Sequence, residues 1–332
     1  MKLSRKDWEY LSSREMEILV DRIFYHYRKT GFPYYPTDTD FRLREFHKFI
    51  NFDTGKLIQN NVIGQTMHGL SLAWSYFPHA WTIRCGNMMS PMDAFLDDDI
   101  FRKVILKRLK IGTYMSDSGI RKMLKIYTGV QAVSNFRPTA ARAIYDMFVG
   151  QNDRAGNVWD MCGGFGGRLL GAMGSKRVSK YVATEPSTKT YEGLCNMVSD
   201  FVIYNKYEIW KMGAEDFQRK EYFDLCFSSP PYFDCEKYSD EPTQSYIKYS
   251  TPKEWFDGFL MRMIENCHIS LCSGARLILN VADVRTYPNL VNDCRKNIPK
   301  VGFVYEGEMK YMLSKMMKRG FKYEPVLIYR KV

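Results

Sequence analysis

The chain has 332 residues, of which 45% are hydrophobic and 26% are charged, as is ordinary for a globular protein. Its 48 Lys and Arg exceed its 37 Asp and Glu, and the net charge of +11 favours a polyanionic partner, most often a nucleic acid, over a merely basic protein. The eight cysteines form no C-x-x-C pair and no apolar run approaches about 18 residues, which argues against a metal site and a membrane-spanning helix.

The first residues, MKLSRKDWEY, lack the apolar core of a secretory signal peptide. Scattered cysteines are also typical of reduced thiols inside a cell. We therefore expect a cytoplasmic protein.

Residues 1–128 predict a helical, basic region without alternation of strands and helices. Apolar residues recur there at helical spacing before Gly31, namely Leu11, Met16, Leu19, Ile23 and Phe24. Between residues 101 and 125, eight Lys or Arg stand against one acid. This run is either a solvated helix surface or a surface that contacts phosphates. In the second case Lys107, Arg108 and Lys110 are the candidate DNA contacts.

Residues 129–332 predict a second domain, because strands and helices alternate from Asn157 onwards. The predicted strands are VWDMC (158–162), KYVATE (180–185), YEIWKMGAEDF (207–217), YFDLCFSS (222–229), ARLILNVAD (275–283) and two late strands in the tail. Crossover helices between them indicate an α/β fold with a doubly wound, mainly parallel, seven-stranded sheet.

A glycine-rich turn, DMCGGFGGR (160–168), separates the first predicted strand from its helix. Its glycines allow a tight turn and a close approach of the backbone to a ligand. Glu185 ends the next strand about 20 residues further on, where an acid accepts hydrogen bonds from ribose hydroxyls. The alternative is an ordinary glycine-rich turn.

Two details favour S-adenosylmethionine over a nicotinamide cofactor. Asp160 precedes the glycines, where a carboxylate can hold an ammonium group. Glu215 and Asp216 end the third strand segment, where acids can contact an adenine amine. For these two acids, a surface position at the start of a helix is the alternative.

The fourth strand runs into Ser229-Pro230-Pro231-Tyr232. Proline has no N–H to donate to a sheet ladder, so the strand ends here. In an open α/β sheet, ligands bind beside the carboxyl ends of the strands. The sequence therefore places this rigid turn at a ligand site.

This tetrapeptide resembles the (Asp/Asn/Ser)-Pro-Pro-(Tyr/Phe) motif of the amino-directed DNA methyltransferases. The segment with Asp160, Cys162, Gly164 and Gly166 resembles the cofactor motif of that family, although Phe is commoner there than cysteine.

Two further segments extend the resemblance, which covers roughly residues 130–332. Phe136, Arg137 and Pro138 resemble the part that closes over the methionine end of the cofactor, and Glu324 to Lys331 resemble the last strand. The resemblance implies a Rossmann-like methyltransferase fold, S-adenosylmethionine as cofactor, and double-stranded DNA of a bacterium or bacterial virus as substrate.

The resemblance also implies roles for the tetrapeptide. The Ser229 hydroxyl and the Pro230 carbonyl accept the N–H groups of an exocyclic amine, so that its lone pair points at the methyl sulfonium. Tyr232 stacks on a base flipped out of the duplex, and Phe233 is a second candidate platform. Tyr238, with its two preceding residues, folds over the base or belongs to a disordered lid.

Serine at position 229 goes mostly with N4-cytosine in that family, whereas Asp or Asn goes mostly with N6-adenine. We therefore predict an N4-cytosine DNA methyltransferase, with N6-adenine as the first alternative. An RNA or protein-amine methyltransferase and an inactive nucleic-acid-binding subunit are the others. The sequence leaves the target sequence and the oligomeric state open.

Overall fold

The computed structural model describes residues 3–150, 154–201, 206–316 and 320–332. The strands, numbered in chain order, are β1 (Leu3–Ser4), β2 (Ile58–Gln59), β3 (Val62–Ile63), β4 (Arg84–Cys85), β5 (Tyr114–Met115), β6 (Gly156–Asp160), β7 (Val178–Thr184), β8 (Tyr207–Trp210), β9 (Phe223–Ser228), β10 (Glu236–Lys237), β11 (Leu271–Asn280), β12 (Phe303–Met316) and β13 (Gly320–Lys331).

The α-helices are α1 (Ser13–Thr30), α2 (Thr39–Ile50), α3 (Leu70–Trp74), α4 (Pro91–Leu96), α5 (Asp98–Ile111), α6 (Asp117–Ile126), α7 (Pro138–Phe148), α8 (Gly167–Gly174), α9 (Thr188–Asp200), α10 (Ser245–Lys248), α11 (Pro252–Trp255), α12 (Arg262–Ser270) and α13 (Leu290–Asn297). A π-helical turn, Phe256–Met261, joins α11 to α12. Within the described ranges, no helix is both long and apolar enough to cross a membrane.

The main sheet has the strand order β2-β3-β12-β13-β11-β9-β6-β7-β8. Strands β8, β7, β6, β9 and β11 are parallel to one another, and β13 enters antiparallel between β11 and β12. The chain builds outward from β6 in one direction through β7 and β8, and in the other through β9 and β11. This is the predicted doubly wound, mainly parallel α/β fold, which is confirmed.

The predicted count of seven strands is wrong, because nine strands form this sheet in the described part of the chain. The two additional strands, β2 and β3, are a short hairpin that extends the edge beside β12. Asn60 and Asn61 form its turn with φ of 50° and 58°. Two consecutive residues at positive φ match the twist of a two-residue hairpin, and Asn tolerates this conformation best among the residues with a side chain.

Large apolar side chains fill the core on one side of the sheet. Trp159 of β6 and Trp255 of α11 are fully buried there, together with Phe223 and Leu277. The continuous helical stretch 252–270 buries Trp255, Phe259 and Met263, which lie at helical spacing along it. This packing fixes the carboxyl end of β9, because the loop after β9 leads directly into the same core.

The described chain separates into two compact units. One consists of residues 1–36, 78–134 and 236–238, and the other of residues 37–77, 135–235 and 239–332. Residues 37–77, which carry α2, α3 and the β2–β3 hairpin, therefore pack with the sheet, although the sequence analysis assigned them to the N-terminal region.

The smaller unit has its own aromatic core. Phe24 and Tyr27 of α1 pack against Phe101 of α5, with ring centroids 6.0 Å apart in both pairs. The Tyr27 hydroxyl donates to the Asp117 carboxylate (2.9 Å) at the start of α6. These contacts hold the three helices together.

Candidate active site

The glycine-rich turn and the Ser-Pro-Pro-Tyr turn meet where the strand order reverses, between β6 and β9. The Ser228 hydroxyl ends β9, donates to Asp160 Oδ1 (2.9 Å) and accepts from the N–H of Cys162 (3.1 Å). Such a reversal opens a crevice beside the strand ends. The two predicted motifs are thus joined by direct hydrogen bonds at this crevice.

Asp160 is fully buried and its carboxylate is occupied by donors from the protein. Its Oδ2 accepts from Arg168 Nε (2.9 Å) and from the Tyr181 hydroxyl (2.6 Å). Burial opposes the charge of Arg168, but the adjacent carboxylate outweighs it and raises the pKa of the guanidinium. A contact between Asp160 and an ammonium group stays a prediction, since it requires one of these donors to yield.

The backbone of the glycine-rich turn passes through the left-handed region at Gly164 (φ +54°) and Gly166 (φ +72°). Glycine reaches this region without steric cost. A Cβ added at Gly164 would meet nothing closer than 3.7 Å, so the turn leaves open space beside this residue. The open space lies beside the N–H of Gly164, which donates to Glu185 Oε2 (3.0 Å).

Glu185 follows β7 and is nearly buried, with 8% of its surface exposed. Its second oxygen accepts from the N–H of Ser187 (3.0 Å). Burial raises the pKa of Glu185 to about 7, although the two backbone N–H groups favour the ionised form. Each carboxylate oxygen has capacity for a further hydrogen bond, so contact with ribose hydroxyls stays a prediction that this position allows.

The segment that precedes α7 lies directly on the glycine-rich turn. Asn135 donates through Nδ2 to the carbonyl of Phe165 (2.9 Å). A Cβ added at Gly167 would lie 1.9 Å from the carbonyl oxygen of Phe136, so only glycine permits this approach.

Phe136 and Arg137 are also fixed to β12. The Phe136 ring stacks on Tyr311, with centroids 4.5 Å apart and planes 17° apart. The N–H of Arg137 donates to the Tyr311 hydroxyl (3.1 Å) and its Nε donates to Gln65 (3.1 Å), while Pro138 begins α7. The structure therefore brings all three predicted residues of this segment to the crevice.

The turn Ser229–Tyr232 leaves the end of β9 with Pro230 buried and the other three residues half-buried. The Tyr232 hydroxyl lies 3.3 Å from Ser229 Oγ. Phe233 is not the second stacking platform that the sequence suggested, because it is only 6% exposed and packs edge-on against Trp255 (6.1 Å). Its positive φ of 55° turns the side chain into the core.

Glu215 and Asp216 occupy a 3₁₀ turn, Ala214–Asp216, and differ in exposure. The Glu215 side chain is 3% exposed and pairs with Lys248, whereas Asp216 is 59% exposed and lies 3.4 Å from the same ammonium. Asn266 fixes the turn by donating to the carbonyls of Ala214 and Glu215. The alternative of a surface acid therefore fits Asp216 but not Glu215.

Glu215 also borders an open, polar groove of about 330 Å³. The groove is lined by Glu215, Asp216, Gln218, Tyr249, Arg262 and Asn266.

In the smaller unit, β10 pairs with β4, and Tyr238 follows β10. The Tyr238 hydroxyl donates to Glu236, whose other oxygen accepts from the N–H of Ser134 (3.2 Å). Contact of Tyr238 with a base stays a prediction.

The basic run is largely committed to the fold of the smaller unit. Arg108 is not the phosphate ligand predicted, because its guanidinium donates to the carbonyl of Tyr114 (Nε 3.0 Å). Arg121 is buried and donates to the carbonyl of Pro33 (2.7 Å). Lys107 lies over the Tyr127 ring (5.2 Å).

The remaining cations of the run that are exposed are Lys103 and Lys110 on α5 and Lys122 on α6. Lys103 and Lys110 lie seven residues apart, so they project from the same side of their helix. Of the three predicted contacts, Lys110 is therefore the one in an exposed position.

Four further residues of the crevice were not singled out for a role: Arg168, Ser228, Tyr311 and Glu324. Arg168 had a signal, since a lone charge opens the otherwise apolar segment RLLGAMG. Tyr311 and Glu324 had none, since their position depends on the antiparallel register that pairs them across β12 and β13.

No family model matches this sequence, and no curated protein matches it either. Solved structures of methyltransferases are similar to it in fold. They include magnesium protoporphyrin IX methyltransferase of Synechocystis PCC 6803 with bound SAM (TM-score 0.42, 18% identity, 59% of this chain and 79% of that chain), a methyltransferase from Pyrococcus furiosus (0.40, 17%, 64% and 93%) and a SAM-dependent O-methyltransferase from Thermotoga maritima (0.39, 14%, 60% and 67%). The chemistry of this chain must therefore be argued from its own residues.

Proposed function

We propose that this protein is an S-adenosylmethionine-dependent DNA methyltransferase that modifies an exocyclic base amine, with N4 of cytosine as the favoured target. The observation that carries the proposal is the pair of hydrogen bonds through Ser228. They join the Ser-Pro-Pro-Tyr turn to the glycine-rich turn at the strand-order reversal. An amine held by the first turn therefore lies beside a cofactor held by the second.

Three features of the crevice fit S-adenosylmethionine. The open space beside Gly164 admits a ligand against the backbone, and Glu185 offers acceptors to ribose hydroxyls. Glu215 Oε2 is buried and has no hydrogen-bond partner among the described residues. A buried acceptor without a donor is costly, and an adenine amine is a donor that would satisfy it. When bound, the cofactor supplies an electrophilic methyl group on a sulfonium.

The residues of the motif then activate the amine. The lone pair of an exocyclic amine is delocalised into the base, so the amine is a poor nucleophile. Two acceptors aimed at its N–H groups, Ser229 Oγ and the Pro230 carbonyl, localise the lone pair on nitrogen. Buried Pro230 and its neighbour Pro231 hold the carbonyl rigidly, which is preorganisation for the transition state.

Methyl transfer from labelled S-adenosylmethionine to double-stranded DNA and to RNA of the same mixed sequence tests this proposal. We expect label in DNA and little in RNA. Label in RNA or in added protein alone would favour the RNA or protein-amine alternatives. Binding of the cofactor without transfer to any acceptor would favour an inactive nucleic-acid-binding subunit.

Glu185 should make cofactor affinity depend on pH. With a pKa of about 7 in the folded protein, the carboxyl is protonated below pH 7 and ionised above it. Ribose hydroxyls donate more strongly to the ionised form, so affinity should increase as the pH rises through 7. Between pH 8 and pH 5.5 we expect a loss of roughly 1–2 kcal/mol by calorimetric titration. Glu185→Gln should remove this dependence, and an unchanged profile in the variant would contradict the assignment.

The exposed lysines of the smaller unit should contribute to DNA binding. Replacing Lys103, Lys110 and Lys122 with Gln should reduce the slope of log affinity against log salt by up to about one per lost phosphate contact. A control with the same loss of charge replaces the exposed Lys56, Lys220 and Lys300, and its slope should stay near that of the wild type. Equal slopes in both variants would indicate that the run is only solvated.

A further inference from the structure

A carboxylate lies at the far end of a chain of hydroxyls that begins at the motif serine. The Tyr232 hydroxyl lies 3.3 Å from Ser229 Oγ and 3.3 Å from Glu324 Oε2. Asn280 Nδ2 lies 3.5 Å from the same carboxylate oxygen and donates to the carbonyl of Pro325 (3.1 Å). These hydroxyl distances are long for hydrogen bonds, but such contacts tighten when a substrate is bound.

Glu324 lies in a partly buried, weakly charged environment. The titratable groups facing it are Lys322 on its own strand, Tyr311 on β12 and Tyr232 from the motif, and β11 presents the neutral Asn280. Burial raises the pKa of Glu324, and Lys322 with the hydrogen bonds from Asn280 and Tyr232 only partly opposes this effect. A carboxylate in this position is a better proton acceptor than an exposed one.

Methylation of an amine releases one proton that must be taken up. As the new C–N bond forms, the bond between methyl carbon and sulfur breaks and its electron pair moves to sulfur. The nitrogen becomes positively charged while it still carries both of its hydrogens. Acidity of these hydrogens increases as the transition state is approached, so an acceptor with proton affinity matters before the reaction is complete.

We propose that Glu324 takes up this proton through the hydroxyls of Ser229 and Tyr232, an inference that rests on the proposed function. The Ser229 hydroxyl receives a proton from the nitrogen and passes its own to the Tyr232 hydroxyl. Tyr232 in turn passes its proton to Glu324, which changes from a carboxylate to a neutral acid. Both hydroxyls are regenerated, and Glu324 returns its proton to water after the product leaves.

The test measures single-turnover methyl transfer to amplified, unmethylated double-stranded DNA of mixed sequence across pH. The wild-type rate should fall as the pH is lowered, because protonated Glu324 cannot accept. Glu324→Gln keeps an oxygen that accepts from Tyr232 but cannot take up a proton. We expect it to be about tenfold slower at neutral pH, which is less than the effect of a base in direct contact, and to lack the fall at low pH. Cofactor affinity should stay within about twofold.

Tyr232→Phe interrupts the same chain while it keeps an aromatic ring for stacking. It should lose about as much rate as Glu324→Gln, and the double variant should lose little more, because both changes interrupt one pathway. Tyr323→Phe is the matched control, since Tyr323 is 41% exposed on the same strand. It should keep the wild-type rate and pH profile.

A wild-type rate in Glu324→Gln, or a slower rate that retains the fall at low pH, would overturn the inference, because Glu324 would then only support Tyr232. Additive losses in the double variant would also overturn it. Absence of transfer by the wild-type protein would contradict the proposed function itself, an outcome distinct from either of these.

Discussion

Ser229→Ala should lower the rate of methyl transfer by about 10²–10³-fold, the scale for removing one preorganised hydrogen-bonding group from a transition state. Affinity for S-adenosylmethionine should change by less than about twofold, because the hydroxyl acts mainly while the amine attacks. Single-turnover rates measure the first effect and calorimetric titration measures the second.

The neighbouring Ser228 is a matched control for this experiment. Its hydroxyl donates to Asp160 and accepts from the N–H of Cys162, so Ser228→Ala leaves a buried N–H without its partner. This variant should lose about 1–3 kcal/mol of stability and some cofactor affinity. If Ser229→Ala weakened cofactor binding as much as it slowed transfer, the assigned role of Ser229 would be wrong.

Arg168→Met should cost about 3–5 kcal/mol of folding free energy, measured by urea unfolding. Arg168 and Asp160 are 6% and 0% exposed, so loss of the guanidinium leaves an uncompensated charge inside the protein. The double variant Asp160→Asn/Arg168→Met should recover part of this loss, since it removes the buried charge as well. A cost below about 1 kcal/mol for the single variant would show that the pair does not hold the turn together.

Much of the fold follows from local sequence patterns. Apolar segments buried on both faces of a parallel sheet alternate with amphipathic helices, and turns with glycine or proline mark the strand ends. The order of the strands also brings the turn after β6 and the turn after β9 to one crevice, which is why two motifs 65 or so residues apart could be assigned to one site. The β2–β3 hairpin had a local signal as well, in its Asn60-Asn61 turn.

The rest depends on tertiary contacts that no local pattern contains. Phe233 follows an aromatic motif residue, and only its backbone conformation turns it into the core. Arg108 lies in a basic run, yet the carbonyl of Tyr114 occupies its guanidinium. Glu324 lies near Tyr232 because β13 inserts between β11 and β12 in one specific register.

Mass spectrometry of nucleosides from the DNA of cells that express this protein tests the central claim most directly. We predict N4-methylcytosine in cells with the wild-type protein and none above background with Ser229→Ala. N6-methyladenine in its place would correct the base while it kept the chemistry of the amine. Neither modified nucleoside, from a protein that binds S-adenosylmethionine, would contradict the assignment of this crevice to a DNA base amine.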